Sequence, residues 1–131
     1  MQHQDADATI VIVEDDAGLN QAMARLLQAA GLKPMAFNSA EEFLAADVVS
    51  QADCLVVDVH LPGISGLELY QRLMQAGISR PAIFITAHDD RNLRLQACAA
   101  GKYLVKPFVG QTLLQLIDTV LIDTAKARAV S

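Results

Sequence analysis

Polar residues of this chain follow its apolar runs, at the points where the runs end. Glu14 and Asp15 follow the run TIVIV, Asp58 follows CLVV, Thr86 follows AIFI and Lys106 follows YLV. A carboxylate can act as a nucleophile and form an acyl phosphate. Phosphoryl transfer otherwise needs mainly positioning and charge neutralisation, for which a hydroxyl and an ammonium group are suited. These residue types therefore indicate phosphoryl chemistry.

Three carboxylates that lie close together need compensating positive charge. At roughly 4 Å and an effective dielectric constant of about 20, each pair repels by on the order of 4 kcal/mol. Lys106 supplies one positive charge. A hard divalent cation with oxygen ligands supplies the rest, and Mg²⁺ is the usual ion where phosphate is involved. The residues thus predict a magnesium-assisted site.

The elements that position these residues are five predicted strands that alternate with helices. Apolar, β-branched runs predict strands at residues 9–13, 33–37, 54–57, 82–85 and 103–105. Buried strands alternating with amphipathic helices specify an α/β fold with a parallel sheet covered on both faces, and right-handed crossovers make it doubly wound. Function in such folds lies beyond the carboxyl ends of the strands, so the polar residues are expected at one edge.

Helical spacing and capping signals predict the helices between the strands. The first ends near Gly31, and the S-x-x-E capping box of Ser39 and Glu42 begins the second. The third and fourth are predicted at about residues 67–75 and 89–100. In the last helix, a helical stripe should face the sheet while two apolar neighbours stay partly exposed. The stripe is Leu113, Ile117, Val120 and Leu121, and the neighbours are Leu116 and Ile122.

Length and composition favour one soluble cytoplasmic domain. The 131 residues, 53% hydrophobic, suit a single core, predicted at residues 9–125 between a flexible leader (1–8) and a tail (126–131). The net charge of −5 argues against nucleic-acid binding by this domain. Its apolar runs are too short to span a membrane. Cys54 and Cys98 lie in apolar segments without CxxC spacing, so both are expected to be buried thiols in a reducing compartment.

Four sequence strings occur in order, each at a predicted strand end: VIVEDD, LVVDVHLPGISGLEL, IFITAH and KYLVKPF. Together they resemble the receiver domains of two-component response regulators from about Thr9 to Leu121. Within that family they resemble the receivers of LuxR-type regulators. The resemblance implies a flavodoxin-like (βα)5 fold with strand order 2-1-3-4-5. It also implies a phosphorylation-dependent switch with Asp58 as the phosphoacceptor.

The resemblance assigns a role to each site residue. Asp15 and Asp58 are expected to ligate Mg²⁺ directly, together with the backbone carbonyl of His60, whereas Glu14 reaches the metal through water. In addition, Thr86 and Lys106 are expected to hold the phosphoryl oxygens, and Tyr103 to act as the aromatic switch. Pro107 is expected to follow Lys106 through a cis peptide bond that directs the lysine.

Partners and output follow from the same resemblance. The phosphoryl donor is expected to be a phosphohistidine on a histidine kinase or a phosphotransfer domain. The chain would catalyse only its own phosphorylation and dephosphorylation and is otherwise not an enzyme. The signal would leave through the fourth helix, fifth strand and fifth helix, to an output partner or in a homodimer. The segment between Thr86 and Lys106, with AAGKY before the lysine, is shorter than is common in the family. An altered fourth helix or following loop is therefore expected.

Each site residue also has a purely structural alternative. Acids after a strand can favour the dipole of the next helix, an interpretation that suits Asp16 well. Similarly, Asp58 could be a turn residue, Thr86 and Lys106 ordinary strand-end or surface residues, and Tyr103 part of the core. His60 and His88 are expected to rim the pocket and tune the access of water, rather than to bind a transition metal together with the acids.

Two other functions compete with the switch. Haloacid-dehalogenase-like phosphatases also use a strand-end aspartate, but they carry a second acid two residues later. His60 occupies that position here. A binding module that works without phosphorylation would be expected to lack some of the five site residues, and this chain keeps all of them.

Overall fold

A computed structural model describes residues 7–88 and 90–130, and the predicted leader lies largely outside them. Strands and helices alternate along the chain. The strands are β1 (Thr9–Val13), β2 (Lys33–Phe37), β3 (Cys54–Asp58), β4 (Ala82–Thr86) and β5 (Lys102–Val105). The α-helices are α1 (Ala17–Ala29), α2 (Ala40–Ala46), α3 (Gly66–Gln75), α4 (Arg91–Ala100) and α5 (Gly110–Val130), with a 3-10 turn at Val49–Gln51.

The five strands form one parallel sheet in the order β2-β1-β3-β4-β5, as predicted. In the register, Val13 pairs with Val57, and Thr86 pairs with Val105. Because all strands run in one direction, their carboxyl ends meet at one edge of the sheet. The predicted gathering of strand-end residues at this edge is therefore confirmed.

Alternation along the strands divides the core into two layers, because successive side chains point to opposite faces. On one face, strand residues such as Val57 and Phe84 pack with Phe43 of α2 and Leu69 of α3. The opposite layer contains strand residues Ile12 and Val56 together with α1 and α5 residues such as Leu27, Leu113 and Ile117. The sheet is thus covered by helices on both sides, which confirms the doubly wound arrangement.

Side-chain caps begin four of the helices. Asp16, Ser39, Ser65 and Asp90 each accept a hydrogen bond from the backbone N–H three residues later. Asp16 thus has the structural role proposed for it, and the predicted cap at Ser39 is confirmed. The fourth helix is described from Arg91, directly after Asp90, whose side chain caps it. The predicted start at residue 89 lies outside the described residues.

The expectation that both thiols are buried is wrong for Cys98. Cys54 is buried in β3, which raises the pKa of its thiol to about 12 because burial disfavours the thiolate. Cys98 is exposed, because α4 buries only Ala97 and its next residue points away from the core. The apolar residues around Cys98 predicted a wider buried face than this helix has. Leu95 of the same helix is 61% exposed.

The link between α4 and β5 is a single residue, Gly101. Its N–H donates to the carbonyl of Ala97, and a Cβ at this position would collide with the backbone carbonyl of Ala82. Glycine is needed here for this close approach of two backbones, since its φ of 179° is ordinary extended geometry. The short segment between Thr86 and Lys106 is thus accommodated by a helix that leads directly into the strand.

The predicted stripe of α5 is confirmed. Its four residues are buried at 0–7% exposure. Leu116 is half-buried against the core, and Ile122 is 41% exposed, so both are partly exposed as expected. Within the described part of the chain, no helix combines the length and apolar character that crossing a membrane requires.

Candidate functional site

The acidic half of the site lies where β1 and β3 end. One carboxylate oxygen from each of Glu14, Asp15 and Asp58 lies within 4.8 Å of the other two. Glu14 is fully buried and Asp58 is nearly so, whereas Asp15 is exposed. The three acids therefore form a crevice with a closed floor and an open side, as the strand ends predicted.

The ammonium group of Lys106 lies between the two buried acids. Its Nζ is 2.8 Å from Oδ2 of Asp58 and 2.8 Å from Oε1 of Glu14. The lysine is held in place through its own backbone, because its N–H donates to the carbonyl of Thr86 at 2.7 Å. The Lys106-Pro107 peptide bond is cis, as expected. Lys106 is thus part of the crevice and not a plain surface lysine.

These contacts push the pKa values of the two buried acids apart. Burial raises the pKa of Glu14 to about 7, against the hydrogen-bonding influence of Lys106. Burial also acts to raise the pKa of Asp58, but its hydrogen bonds with Lys106, Glu14 and the His60 N–H together lower it. The same contacts raise the pKa of Lys106 despite its partial burial. Asp58 is therefore the acid that stays ionised, as a nucleophile requires.

The donor set fits a hard divalent cation. Oε1 of Glu14 is buried and faces the Lys106 ammonium group at 2.8 Å. That one positive charge offsets only one of the three clustered carboxylates, so a further cation would relieve the remaining repulsion. Three clustered carboxylate oxygens are the ligands that Mg²⁺ and Ca²⁺ prefer. The cluster is therefore a candidate metal site.

The hydroxyl half of the site is held by the loop after β4. Thr86 is fully buried, and its Oγ1 accepts from the N–H of His88 at 3.0 Å and lies 3.1 Å from the His88 carbonyl. The hydroxyl of Tyr103 donates to that same carbonyl at 3.4 Å. The ring of Tyr103 is half-buried against the core, with the Arg94 guanidinium 5.8 Å from its centre. Tyr103 thus packs partly against the core and contacts the loop after β4, whereas its role as the aromatic switch stays a prediction.

Comparison with known proteins decides the family. A family model described as the response regulator receiver domain matches residues 10–118. The chain belongs to the response regulator receiver domains. Such domains are phosphorylation-dependent switches of two-component signalling, so the predicted resemblance and function class are confirmed.

Individual relatives agree with this family. Nodulation protein W of Bradyrhizobium diazoefficiens is 37% identical over 123 residues, which are 92% of this chain and 53% of that protein. Transcriptional regulatory protein TdiR of Thauera aromatica is 34% identical over 116 residues, 87% of this chain and 51% of that protein. A receiver protein structure from Burkholderia phymatum is 40% identical with a TM-score of 0.74, covering 88% of this chain and 95% of that one. The receiver domain spans about half the length of the two named regulators.

A buried asparagine that the sequence did not single out supports the acidic half of the receiver site. Nδ2 of Asn20 in α1 donates to the carbonyls of Glu14 at 3.0 Å and Phe37 at 2.9 Å. It thereby joins the carboxyl ends of β1 and β2. The sequence did contain a signal for this role, namely one polar residue on the apolar face of a helix. Asn20 is buried on the same helix as Met23 and Leu27.

Two histidines lie beside the acids and the hydroxyl, at the positions predicted for the rim. The exposed rings of His60 and His88 contact each other edge to face, with centroids 5.4 Å apart. The backbone N–H of His60 donates to Oδ1 of Asp58 at 2.8 Å, which orients that carboxylate. The expected use of the His60 carbonyl as a metal ligand stays a prediction.

The buried, protonatable Glu14 predicts an unusual pH dependence of stability. Its pKa is about 7 in the folded receiver domain against an ordinary value of 4.5, so the folded state binds more protons between these values. Its contribution therefore favours folding below about pH 4.5 and is lost as the pH rises through 7. Without divalent cations, Glu14→Gln should stabilise the domain at pH 8 by about 1–2 kcal/mol, a value discounted for the open crevice.

Urea unfolding at pH 5 and pH 8 in EDTA measures this effect. The stabilisation by Glu14→Gln should shrink towards zero at pH 5, where wild-type Glu14 is already protonated. The lowered pKa of Asp58 acts below its ordinary value of 3.8 and does not enter this range. Equal stability of the two proteins at pH 8 would contradict the buried, repelled state of Glu14.

Proposed function

We propose that this receiver domain accepts one phosphoryl group on Asp58 from a phosphohistidine, with Mg²⁺ bound in the acidic crevice. One observation carries this assignment: Asp58 ends β3 within reach of two further acids and makes an ion pair with Lys106. A carboxylate that is ionised, nearly buried and oriented by donors is prepared for attack on phosphorus. The purely structural interpretation of Asp58 as a turn residue would not require these partners.

The chain's own groups have distinct parts in the transfer. An oxygen of Asp58 forms a bond to phosphorus while the bond from phosphorus to the donor's histidine nitrogen breaks, and the imidazole keeps the electron pair and takes up a proton. The lysine Lys106, already beside Asp58, holds a phosphoryl oxygen. Glu14, Asp15, Asp58 and the His60 carbonyl would hold Mg²⁺, which neutralises charge on the phosphoryl oxygens.

Thr86 and Tyr103 are proposed to pass the change outwards. To reach a phosphoryl oxygen, the Thr86 hydroxyl must give up its contacts with the His88 backbone, where Tyr103 also binds. Loss of the threonine contact changes the partners of the His88 carbonyl and frees space next to the Tyr103 ring. The surface formed by α4, β5 and α5 would thereby switch between two arrangements. An output partner or a second copy of the chain would bind this surface.

The wider setting is proposed from the family. The donor would be a histidine kinase or phosphotransfer domain, and the chain would catalyse only reactions of its own phosphoryl group. The relative TdiR is named a transcriptional regulatory protein, and the chain spans about half of it. The receiver domain, proposed at residues 9–125 between a leader and a tail, would act in the cytoplasm without binding nucleic acid or membranes itself, in keeping with its charge of −5.

Acetyl phosphate, a small phosphodonor, tests the proposed chemistry. Incubation with acetyl phosphate and Mg²⁺ should add one phosphoryl group to the intact chain, as measured by mass spectrometry. EDTA should prevent the addition, because the metal neutralises the charge that opposes the attack. Equal labelling with Mg²⁺ and with EDTA would contradict the proposed role of the metal.

A further inference from the structure

The loop after the phosphoacceptor is held from outside the site by a residue of α2. This loop, residues 60–65, runs from His60 to the cap of α3 and contains the turn at Gly63. The Oε2 atom of Glu41 accepts a hydrogen bond from the backbone N–H of Ile64 at 3.1 Å. The two residues are 23 positions apart in the chain. The contact therefore joins two separate elements, α2 and the loop.

The shape of the loop is adapted to this contact. Gly63 has a φ of +76°, a backbone conformation that residues other than glycine rarely adopt. A Cβ on Gly63 would also lie too close to Oε2 of Glu41, so any side chain at this position would displace the carboxylate. Backbone N–H groups of Glu41 itself and of Ile64 lower the pKa of this carboxyl, which keeps it an ionised acceptor. Steric fit and hydrogen bonding thus point to the same partner.

The other end of the loop lies in the site itself. The N–H of His60 orients Oδ1 of Asp58, and the N–H of Gly66 closes the loop onto the carbonyl of Val59 at 3.1 Å. Glu41 and these inner bonds therefore hold opposite sides of one short segment. Groups that orient metal ligands from outside affect affinity without touching the ion.

From these contacts we infer that Glu41 is a positioning residue for the phosphorylation site: its carboxylate latches the 60–65 loop to α2 and so presets the His60 backbone for Mg²⁺ and the phosphoryl group. This inference rests on the proposed function. It adds a residue of α2, remote from the strand ends, to those that set the affinity of the site.

Glu41→Ala tests the latch, with Glu42→Ala as the matched control. Glu42 is the next residue of the same helix. Only its backbone N–H donates to the Ser39 hydroxyl that caps the helix, and alanine keeps this N–H. Amide exchange followed by NMR should speed up at Ile64 in Glu41→Ala alone. The Mg²⁺ dissociation constant should rise about two- to threefold in that variant, because the hydrogen bond is exposed and its loss corresponds to the low end of the usual range. Glu41→Gln, which keeps an acceptor oxygen, should recover part of both effects.

The outcomes separate the latch from the proposed function. Unchanged Ile64 exchange in Glu41→Ala would overturn the latch, and faster exchange with unchanged Mg²⁺ affinity would overturn its positioning role. Equal changes in Ile64 exchange and Mg²⁺ affinity in Glu42→Ala would mean that both effects arise from lower stability of α2. That result would also overturn the positioning role of Glu41. A wild-type chain that binds no Mg²⁺ would contradict the proposed function, while the exchange at Ile64 would still decide whether the latch exists.

Discussion

Lys106→Ala should lower the free energy of unfolding in metal-free buffer and should also remove the response to phosphorylation. The lysine is the cation that meets both Glu14 and Asp58, each at 2.8 Å. Without it, the charge of Asp58 is uncompensated, and Glu14 must either add to the repulsion or take up a proton. Breaking a fully buried ion pair costs ~3–5 kcal/mol, and about 2 kcal/mol is expected in this more open crevice. Added Mg²⁺ should restore much of the loss, because the ion replaces the missing charge.

Urea unfolding with and without Mg²⁺ measures the first effect, and Lys33→Ala, on the exposed start of β2, is the control. Amide chemical shifts with beryllofluoride, a phosphoryl mimic, measure the second. In the wild type, shifts should extend from the crevice through residues 91–121. In Lys106→Ala they should stay near Asp58, because the mimic loses the ammonium group that holds one of its atoms. Wild-type stability together with a full set of shifts would contradict both roles.

Asp15→Asn should weaken Mg²⁺ binding by roughly tenfold or more, since even outer partners of metal ligands contribute about that much. Asp15 is the exposed member of the three acids, and its carboxylate oxygen lies within 4.8 Å of those of Glu14 and Asp58. Replacing a carboxylate with an amide removes one charge while it preserves the size of the side chain. Phosphorylation by acetyl phosphate should slow in parallel.

The neighbouring acid provides the control for this variant. Asp16 caps α1 by accepting from the Leu19 N–H at 3.1 Å and does not belong to the acidic cluster. Asp16→Asn removes the same charge one position away, and asparagine caps helices about as well. Calorimetric titration should show nearly wild-type Mg²⁺ affinity for Asp16→Asn. Equal weakening in the two variants would mean that general acidity, not coordination by Asp15, attracts the ion.

The location of the site could be predicted from the sequence because its residues are marked by their positions along the chain. Each strand is a short apolar run, each run ends in a polar residue, and parallel pairing aligns those ends. Thus Asp58, Thr86 and Lys106 could be assigned to one edge before any contact was known. The resemblance to receiver domains supplied the strand order, which a periodic pattern alone does not determine.

What the sequence did not reveal depends on contacts between distant segments. The latch of Glu41 on Ile64 and the bonds of Asn20 to two strand ends follow no helical or strand period. The shared contact of Thr86 and Tyr103 with the His88 carbonyl depends on the path of one loop. The predicted burial of Cys98 is wrong for a related reason. Apolar residues in a helix that buries only Ala97 do not show which face of the helix is buried.

Asp58 alone should accept the phosphoryl group. Acetyl phosphate and Mg²⁺ should add one phosphoryl group to the wild-type chain, and peptide mapping should place it on the segment that contains Asp58. Asp58→Asn, which keeps the size of the side chain but not its nucleophilic charge, should remain unlabelled under the same conditions. Labelling of Asp58→Asn to the wild-type level, or a phosphoryl group mapped to another residue, would contradict the assignment of Asp58 as the sole phosphoacceptor.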